Sequence, residues 1–221
     1  MHIDRMSRAG ALLLALAAPI FLVANLVVGL GWDDPGFSWV SNNVSDLGNV
    51  SCGVWDTTRP RYVCSPWHDA MNVAFVLTAV LLVAGLLMTR RVRGQGRWSL
   101  AAIVAGAAGL GFAGAFPADV NENVHLLAAV LVFLPGNAGL LAHGVARRSA
   151  PALVAGVLGL AGAVLFLAQQ GLGLGLGTME RIAVFPLTLW ACYAGCRLLL
   201  SEGRAGKKDR REVWSADRTR R

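Results

Sequence analysis

The chain has 221 residues, of which 55% are hydrophobic and only 15% are charged, and its formal net charge is +7. A soluble domain carries about a quarter charged residues, so this composition excludes an ordinary soluble protein and indicates an integral membrane protein. The basic residues lie at the ends of apolar runs and in a C-terminal tail, which is typical of membrane orientation rather than nucleic-acid binding. We therefore expect the lipid bilayer as a partner and no nucleic acid.

Six apolar runs are candidates to cross the hydrocarbon core, which needs about 20 residues; the third, Leu100–Phe116, is a little short unless its ends extend. A signal peptide is the alternative for the first run, but that run continues well past the candidate cleavage site. The sequence therefore predicts an all-α, six-helix bundle in the membrane. The predicted spans are Ala9–Leu30, Asp69–Met88, Leu100–Phe116, Val124–Ala146, Ala152–Leu167 and Ile182–Leu200.

The distribution of Lys and Arg predicts how the bundle is oriented. All of these residues except Arg59, Arg61 and Arg181 fall on the side of the membrane that holds both termini. The positive-inside rule then places both termini in the cytoplasm of a multi-pass cell-membrane protein. We expect a transmembrane domain over residues 1–200 and a basic, disordered tail over residues 201–221.

The long outer loop, residues 31–67, contains Cys52 and Cys64. On an oxidising side of the membrane, we expect these cysteines to form a disulfide that closes the loop, with free thiols or a metal pair as the alternatives. The glycine-rich segment 171–177 precedes the last span, and we interpret it as a flexible hinge on the same side.

Polar and titratable side chains are concentrated at the outer ends of the predicted spans. They come from separate points in the sequence, which the six-helix topology brings to one level of the membrane. Because charge near hydrocarbon is costly, we expect these groups to partner one another, a metal ion or a polar ligand. The members of this predicted pocket are Asp46, His68, Asn72, Asp119, His125 and Glu180.

Two kinds of chemistry are compatible with this pocket. Asp46, Asp119 and His125 are candidate zinc ligands, and zinc with an open position would activate water to hydrolyse a lipid ester or amide. Without a metal, an Asp–His pair could act as a general base. The alternative is structural: polar helix ends cap and anchor helices, as Asp69 would at the start of its helix. The sequence does not decide whether the protein is an enzyme.

Two other functional classes remain open. A transporter or channel for a small solute would need a polar path, and Asn25 and Asn137 lie deep enough to line one, although hydrogen bonding between helices is the simpler role. A non-catalytic assembly partner, or a homo-oligomer, would use small-residue helix faces such as the one with Gly106 and Gly109 as contact surfaces.

Three segments resemble the domain-of-unknown-function family 998. The stretch 37–48, FSWVSNNVSDLG, resembles the family's first signature, and the 116–119 segment FPAD followed by His125 resembles its second. The segment 177–181, GTMER, is similar to the third, although the family often has Ile-Pro before the glutamate. The resemblance covers about residues 9–200 and implies a multi-helix prokaryotic membrane protein without an assigned activity.

The same resemblance implies site residues rather than a reaction. It supports Asp46, Asp119, His125 and Glu180 as members of one site. The stretch that carries Asp46 is also similar to loops in membrane proteins linked to lipid-anchor remodelling. We therefore expect the protein to bind, and as a second activity to hydrolyse, a lipid or small polar ligand at the outer leaflet.

Overall fold

The computed structural model describes residues 4–55 and 59–218, with side chains described up to residue 201. Within this part of the chain, six helices are long and apolar enough to cross a membrane, which confirms the predicted six-helix fold. Among the helix starts, the largest difference from the predicted bounds is that the last helix begins at Leu176 rather than Ile182. The spans are α1 (Arg5–Leu30), α2 (His68–Thr89), α3 (Arg97–Ala115), a fourth span (Glu122–Arg147), α6 (Ala150–Leu167) and α7 (Leu176–Arg218).

The surface of α1 explains why the bundle needs lipid as its solvent. Leu14 and Phe21 are fully buried, whereas Leu12, Leu16 and Val23 are 47%, 50% and 58% exposed. An apolar surface of this kind would drive aggregation in water, but it is matched by the hydrocarbon of a bilayer. Both faces of α1 are therefore apolar: one packs against other helices, and the other is left for lipid.

Small residues allow α3 to approach the fourth span closely. A Cβ atom at Gly109 would lie 2.6 Å from the Ala128 carbonyl oxygen, and one at Gly106 would lie 2.5 Å from the Gly136 Cα atom. Both glycines are buried by these contacts inside the bundle. They are therefore not available as the outer contact surface expected for an assembly partner.

The fourth span is interrupted at Pro135. It consists of α4 (Glu122–Leu131), one π-helical turn (Val132–Gly136) and α5 (Asn137–Arg147). Proline has no amide hydrogen, so the regular hydrogen-bond pattern of an α-helix cannot continue through it. The irregular turn is held by Asn137, whose Nδ2 donates to the Ala183 carbonyl oxygen of α7 at 2.9 Å.

The two deep asparagines thus bind backbone carbonyl groups. Asn137 makes the bond between helices that the simpler sequence interpretation expected. Asn25 donates instead within its own helix, from Nδ2 to the Phe21 carbonyl oxygen at 2.8 Å. Each side chain is at least 98% buried in the bundle.

The loop between α1 and α2 folds over one end of the bundle. It contains a 3-10 turn, Ser45–Gly48, and an antiparallel hairpin of β1 (Gly53–Trp55) and β2 (Arg61–Val63). A disulfide joins Cys52 and Cys64 immediately beside the Gly53–Val63 pair, with the two Cα atoms 4.2 Å apart. The sequence analysis did not predict the two short strands.

The two ends of the bundle have different chemistry. We call the end formed by residues 31–55, 59–67, 116–121 and 168–175 the loop face, and the end formed by residues 90–96, 148–149 and the start of α1 the arginine face. Gly195 of α7 packs against the Ala11 carbonyl oxygen of α1, so the first and last spans meet near the arginine face. That this face is cytoplasmic stays a prediction.

The last helix continues beyond its membrane-spanning part. The span ends at Ser201, whereas α7 extends to Arg218. The backbone is helical up to Arg218. That residues 201–221 form a disordered tail stays a prediction from composition. The side chains of this extension lie outside the described part of the chain, and the division into a domain of residues 1–200 and a tail stays a prediction.

Candidate functional site

Asp46 organises the loop face from within the 3-10 turn. Asp46 is 1% exposed as a whole residue, and its carboxylate receives hydrogen bonds from Asn42 Nδ2 at 3.2 Å and from the Asn43 amide at 2.8 Å. Arg61 of the hairpin adds two more, from Nε to Oδ2 at 2.7 Å and from Nη2 to Oδ1 at 2.5 Å. A buried carboxylate with this set of donors is satisfied, and its position fixes the loop.

Glu180 connects the same turn to the last helix. It is 6% exposed, and its Oε2 accepts a hydrogen bond from the Val44 amide at 2.5 Å. Val44 precedes the 3-10 turn, so the glutamate caps a turn that lies far away in sequence. Glu180 also lies within electrostatic range of Asp46 and of Arg181. The loop is therefore held to α7 through a buried carboxylate.

Arg181 supplies the second connection between α7 and the loop. Its guanidinium lies 5.3 Å from the ring centroid of Phe37 and 5.3 Å from that of Trp39. Its Nη1 donates to the Asn42 carbonyl oxygen at 2.8 Å and to the Gly177 carbonyl oxygen at 2.7 Å. The cation is thus stabilised by two aromatic faces as well as by hydrogen bonds.

The glycine-rich segment before α7 allows this connection to form. A Cβ atom at Gly177 would collide with the Asn42 carbonyl oxygen, and one at Gly175 would collide with that of Val40. At these two positions the glycines therefore allow close backbone-to-backbone packing with the loop, and not the hinge that the sequence suggested. The helix begins at Leu176, within the segment interpreted as a hinge.

The start of α2 supports the loop from the other side. Asn72 Nδ2 donates to the Gly48 carbonyl oxygen at 2.9 Å, and the His68 ring Nδ1 lies 3.0 Å from the Ser65 carbonyl oxygen. His68 Nε2 lies 3.4 Å from Asp69, whose side chain is 94% exposed. Asn72 thus joins the group around the 3-10 turn, whereas His68 binds locally at the start of its helix.

Asp119 and His125 flank the connection between α3 and α4. Asp119 Oδ2 accepts from the Ser51 amide at 2.6 Å, which ties this connection to the outer loop. The His125 ring Nδ1 lies 3.0 Å from the Phe116 carbonyl oxygen. Since a carbonyl only accepts, Nδ1 carries the hydrogen in this bond, and a neutral ring then has a lone pair at Nε2.

A small cavity brings two of the predicted site residues together. It has a volume of about 20 Å³ and is lined by His125, Glu180 and Ser45, with apolar side chains such as Phe75 and Phe133 around them. This space accommodates about one water-sized group. Asp46, His68 and Asp119 are not among its lining residues. The predicted pocket is therefore divided: Asp46 fixes the loop, while His125 and Glu180 face one space.

A larger groove lies on the membrane-facing side of α2 and α3. Its volume is about 540 Å³. Asp69 and Asn72 lie at its polar end, and the remaining lining residues are Val73, Val76, Leu77, Val80 and Gly114. Phe75, which lines the small cavity, packs against Gly114, which lines the groove. The two spaces are thus neighbours on opposite sides of one α2–α3 contact.

The predicted zinc set finds no matching geometry in the described residues. No three His, Cys, Asp or Glu side chains among them are arranged to hold a metal ion. Asp46, one of the three expected ligands, is already bound by Arg61 through both of its oxygens. The chemistry that this arrangement offers is acid–base and hydrogen-bonding chemistry at His125, Glu180 and Ser45.

Sequence reasoning missed the contacts of the arginines that complete the loop face. Arg61 was counted only as an exception to the distribution of positive charge, Arg181 was interpreted with Glu180 as a cap and anchor of the last helix, and Asn42 was not considered. The position of these arginines was itself a signal in the sequence. A cation on the side of the membrane that is otherwise poor in cations needs a local partner. Here those partners are Asp46 for Arg61, and the two aromatic rings for Arg181.

Comparison with known proteins supports the resemblance in these segments. No curated protein and no solved structure matches the chain. A family model described as a protein of unknown function, DUF998, matches residues 15–197, which include four spans in full and most of the first and last spans. The chain therefore belongs to the DUF998 family of proteins of unknown function.

Proposed function

We propose that the protein binds a membrane lipid at the loop face, in what would be the outer leaflet. The acyl chain would occupy the groove between α2 and α3, and a polar group of the lipid would interact with the cluster around His125 and Glu180. The observation that carries this proposal is the position of the groove, which has an exposed apolar wall and is joined to the cavity with His125 and Glu180 through the contact of Phe75 with Gly114.

The composition of the groove supports an amphiphilic ligand. Val73, Val76, Leu77 and Val80 provide an apolar wall along α2, and Asp69 provides a charged end. An acyl chain gains dispersion contacts along such a wall, while a headgroup stays at the level where Asp69 is solvated. A small polar solute would leave most of this apolar surface unused.

The cavity beside the groove supports recognition of a polar group. His125 Nε2 can accept a hydrogen bond, and Ser45 can donate or accept one. The volume of about 20 Å³ admits a single group such as a hydroxyl or a carbonyl oxygen, and not a whole headgroup. Because Phe75 separates the cavity from the groove, a ligand that uses both would displace this side chain.

Photochemical cross-linking tests the lipid proposal. The full chain would be reconstituted in nanodiscs that contain phosphatidylglycerol with a diazirine in its acyl chain, and labelled peptides would be quantified by mass spectrometry. We expect α2 residues 73–80 to be labelled several-fold more than the exposed face of α1. Val76→Trp should fill the groove and remove this excess.

The matched control is Val23→Trp on the exposed face of α1. This variant adds the same side chain to a lipid-facing helix outside the groove, so labelling of α2 should not change. Equal labelling of α1 and α2 in the wild-type protein, or an equal effect of both tryptophans, would contradict the proposal.

Hydrolysis of a lipid ester is the second candidate, favoured by the imidazole, hydroxyl and carboxylate that line one cavity. In this reaction, His125 Nε2 would take a proton from water as the water oxygen attacks the ester carbonyl carbon. The carbon–oxygen bond to the alcohol would then break, and the alcohol oxygen would receive the proton from His125.

A fluorogenic phospholipid ester in the same nanodiscs measures this reaction. His125→Gln should abolish release of the fluorophore, whereas the control His68→Gln should preserve it.

A further inference from the structure

A second cavity lies near the arginine face and takes no part in the proposed function. Its volume is about 290 Å³. It is bordered by the α2–α3 connection, by α5, by the start of α6 and by α7. Its polar lining residues include Arg93, His143, Ser149, Arg197 and Ser201. All lining residues belong to the described part of the chain, and none of them is acidic.

Arg93 is fixed at this cavity by two hydrogen bonds, and one N–H group of its guanidinium is left without a partner among the described residues. Its Nε donates to Thr89 Oγ1 at 2.8 Å, and its Nη2 donates to the Leu86 carbonyl oxygen at 2.9 Å. The guanidinium also lies 5.6 Å from the ring centroid of Trp190. Its Nη1 is buried and has no hydrogen-bond partner in the described residues. Leaving a charged donor unpaired in this way is costly, so the site is suited to an acceptor.

Burial affects the charge of this arginine without removing it. Desolvation by burial lowers the pKa of Arg93 to about 10. At neutral pH the guanidinium therefore remains protonated, but it has lost part of the hydration that stabilises a cation. A bound anion would replace that lost stabilisation.

His143 provides a second unsatisfied group. It is 7% exposed, its ring packs edge-on against Trp190 with the centroids 5.5 Å apart, and its Nδ1 is buried without a partner among the described residues. Ser149, the residue before α6, makes no capping hydrogen bond with its side chain. These groups come from separate elements and line the same cavity as Arg93.

Arg197 adds a second cation from α7. Its Nη1 donates to the Tyr193 hydroxyl at 3.0 Å, and its guanidinium lies over the same ring. Tyr193 also lines the cavity. The cavity thus combines two guanidinium groups, an imidazole and a hydroxyl, and none of its described lining side chains is acidic.

We propose that this cavity binds a phosphate group, carried either by an anionic phospholipid or by a soluble phosphate. A phosphate presents several acceptor oxygens in a tetrahedral arrangement, so it can receive hydrogen bonds from Arg93, Arg197 and Ser149 together. A carboxylate has only two oxygens in one plane and would satisfy fewer of these separate donors. The proposal is independent of the lipid site at the loop face, because the two share no residue.

Two binding measurements on the detergent-purified full chain distinguish the sources of the phosphate. Native mass spectrometry would compare phosphatidylglycerol with zwitterionic phosphatidylcholine, and phosphorus NMR would titrate inorganic phosphate. We expect Arg93→Gln to weaken binding about tenfold, since a hydrogen bond to a charged group is lost. Arg90→Gln removes the same charge from the nearby end of α2, outside the cavity, and should have little effect.

Arg197→Gln provides a second test that disturbs the bundle less, because Arg197 is exposed whereas Arg93 is packed against Trp190. It should weaken binding of the same probe. Preferential binding of phosphatidylglycerol would identify a lipid headgroup, and saturable binding of inorganic phosphate would identify a soluble source. Equal effects of Arg90→Gln and the cavity variants would overturn the proposal in favour of diffuse attraction, as would failure of both probes to bind.

Discussion

Arg61 holds Asp46 through two hydrogen bonds, from Nε to Oδ2 at 2.7 Å and from Nη2 to Oδ1 at 2.5 Å. The carboxylate is 2% exposed and the arginine side chain 10% exposed, so this is a buried ion pair in a loop. It joins the hairpin to the 3-10 turn that Glu180 of α7 also binds. Charged contacts thus position the loop together with its buried apolar residues Val44, Leu47 and Val63.

Asp46→Asn should destabilise the loop strongly. The substitution removes the negative charge that pairs with the buried Arg61 and replaces one acceptor oxygen with a donor. Removing one partner of a buried ion pair typically costs about 3–5 kcal/mol. We expect a lower thermal unfolding temperature in detergent and faster hydrogen exchange over residues 42–48.

Asp69→Asn is the matched control for this prediction. It makes the same chemical change at a carboxylate whose side chain is 94% exposed. Exposed ion pairs contribute at most about 1 kcal/mol, so the unfolding temperature should stay close to that of the wild type. If both variants were equally stable, Asp46 would not be the centre of the loop.

Arg181→Lys should loosen the contact between the loop and α7. Lysine retains the positive charge, but it lacks the planar group that lies between Phe37 and Trp39. It also cannot reproduce the paired donations to Asn42 and Gly177 in the same geometry. We expect a loss of about 1–2 kcal/mol, measured by thermal unfolding and by the exposure of Trp39 to a fluorescence quencher.

The comparison for Arg181 is Arg97→Lys. Arg97 also lies over an aromatic ring, 5.0 Å from the centroid of Trp98, but both residues are exposed. Water screens this contact, so its replacement should have little effect on stability. A larger loss of stability in Arg97→Lys than in Arg181→Lys would count against the role assigned to the aromatic pair.

Hydropathy was sufficient to predict the spans because each helix must satisfy its backbone internally and cover itself with apolar side chains. Val23 and Leu26 face lipid, Leu14 faces the bundle, and all three read as apolar in the sequence. The same argument says nothing about partners, since residues that pack and residues that face lipid look alike. This is why the contact of Gly109 with the fourth span could not be assigned from sequence.

The sequence predicted which polar residues lie at the loop face, but not which of them contact one another. Asp46, His125 and Glu180 were correctly expected at one end of the bundle, because alternate helix ends share a side. Asp46 lies in a clamp formed by its hydrogen bonds with Asn42, Asn43 and Arg61, whereas His125 and Glu180 line a cavity. This separation depends on side-chain contacts between distant segments. Val44 and Glu180, for example, are 136 residues apart, and periodicity within a helix carries no information about such a pair.

Gly177→Ala should destabilise the protein although alanine is the better helix former. In a helix, this replacement ordinarily stabilises by about 1 kcal/mol. At Gly177, however, the added Cβ atom would collide with the backbone carbonyl of Asn42, so either the loop or the helix must shift. Overpacking of this kind costs about 1–3 kcal/mol, and we expect a net loss in thermal stability.

Gly53→Ala is the control for this steric argument. A Cβ atom at Gly53 has no neighbour within 4 Å, so the same substitution is accommodated in the hairpin. Its unfolding temperature should equal or slightly exceed that of the wild type. A stabilised Gly177→Ala variant would mean that α7 and the loop are not in close contact in solution.

The disulfide between Cys52 and Cys64 should stabilise the clamp at Asp46 indirectly. It closes a segment of 12 residues, and the chain-entropy model assigns such a closure about 3 kcal/mol. The segment includes Arg61, so a looser hairpin would let the guanidinium leave the carboxylate. Reductant should therefore lower the unfolding temperature of the wild-type protein.

Two measurements check this prediction together. Alkylation of the denatured protein without reductant should label Cys192 and Cys196 alone, because these are the free cysteines. A variant that carries both Cys52→Ser and Cys64→Ser should unfold at the same temperature as the reduced wild type. Reductant should not change the unfolding temperature of this variant. If reductant lowered the stability of this variant too, it would act elsewhere than on the hairpin. Four alkylated cysteines in the untreated wild type would mean that the loop depends on the Asp46–Arg61 pair without a covalent link.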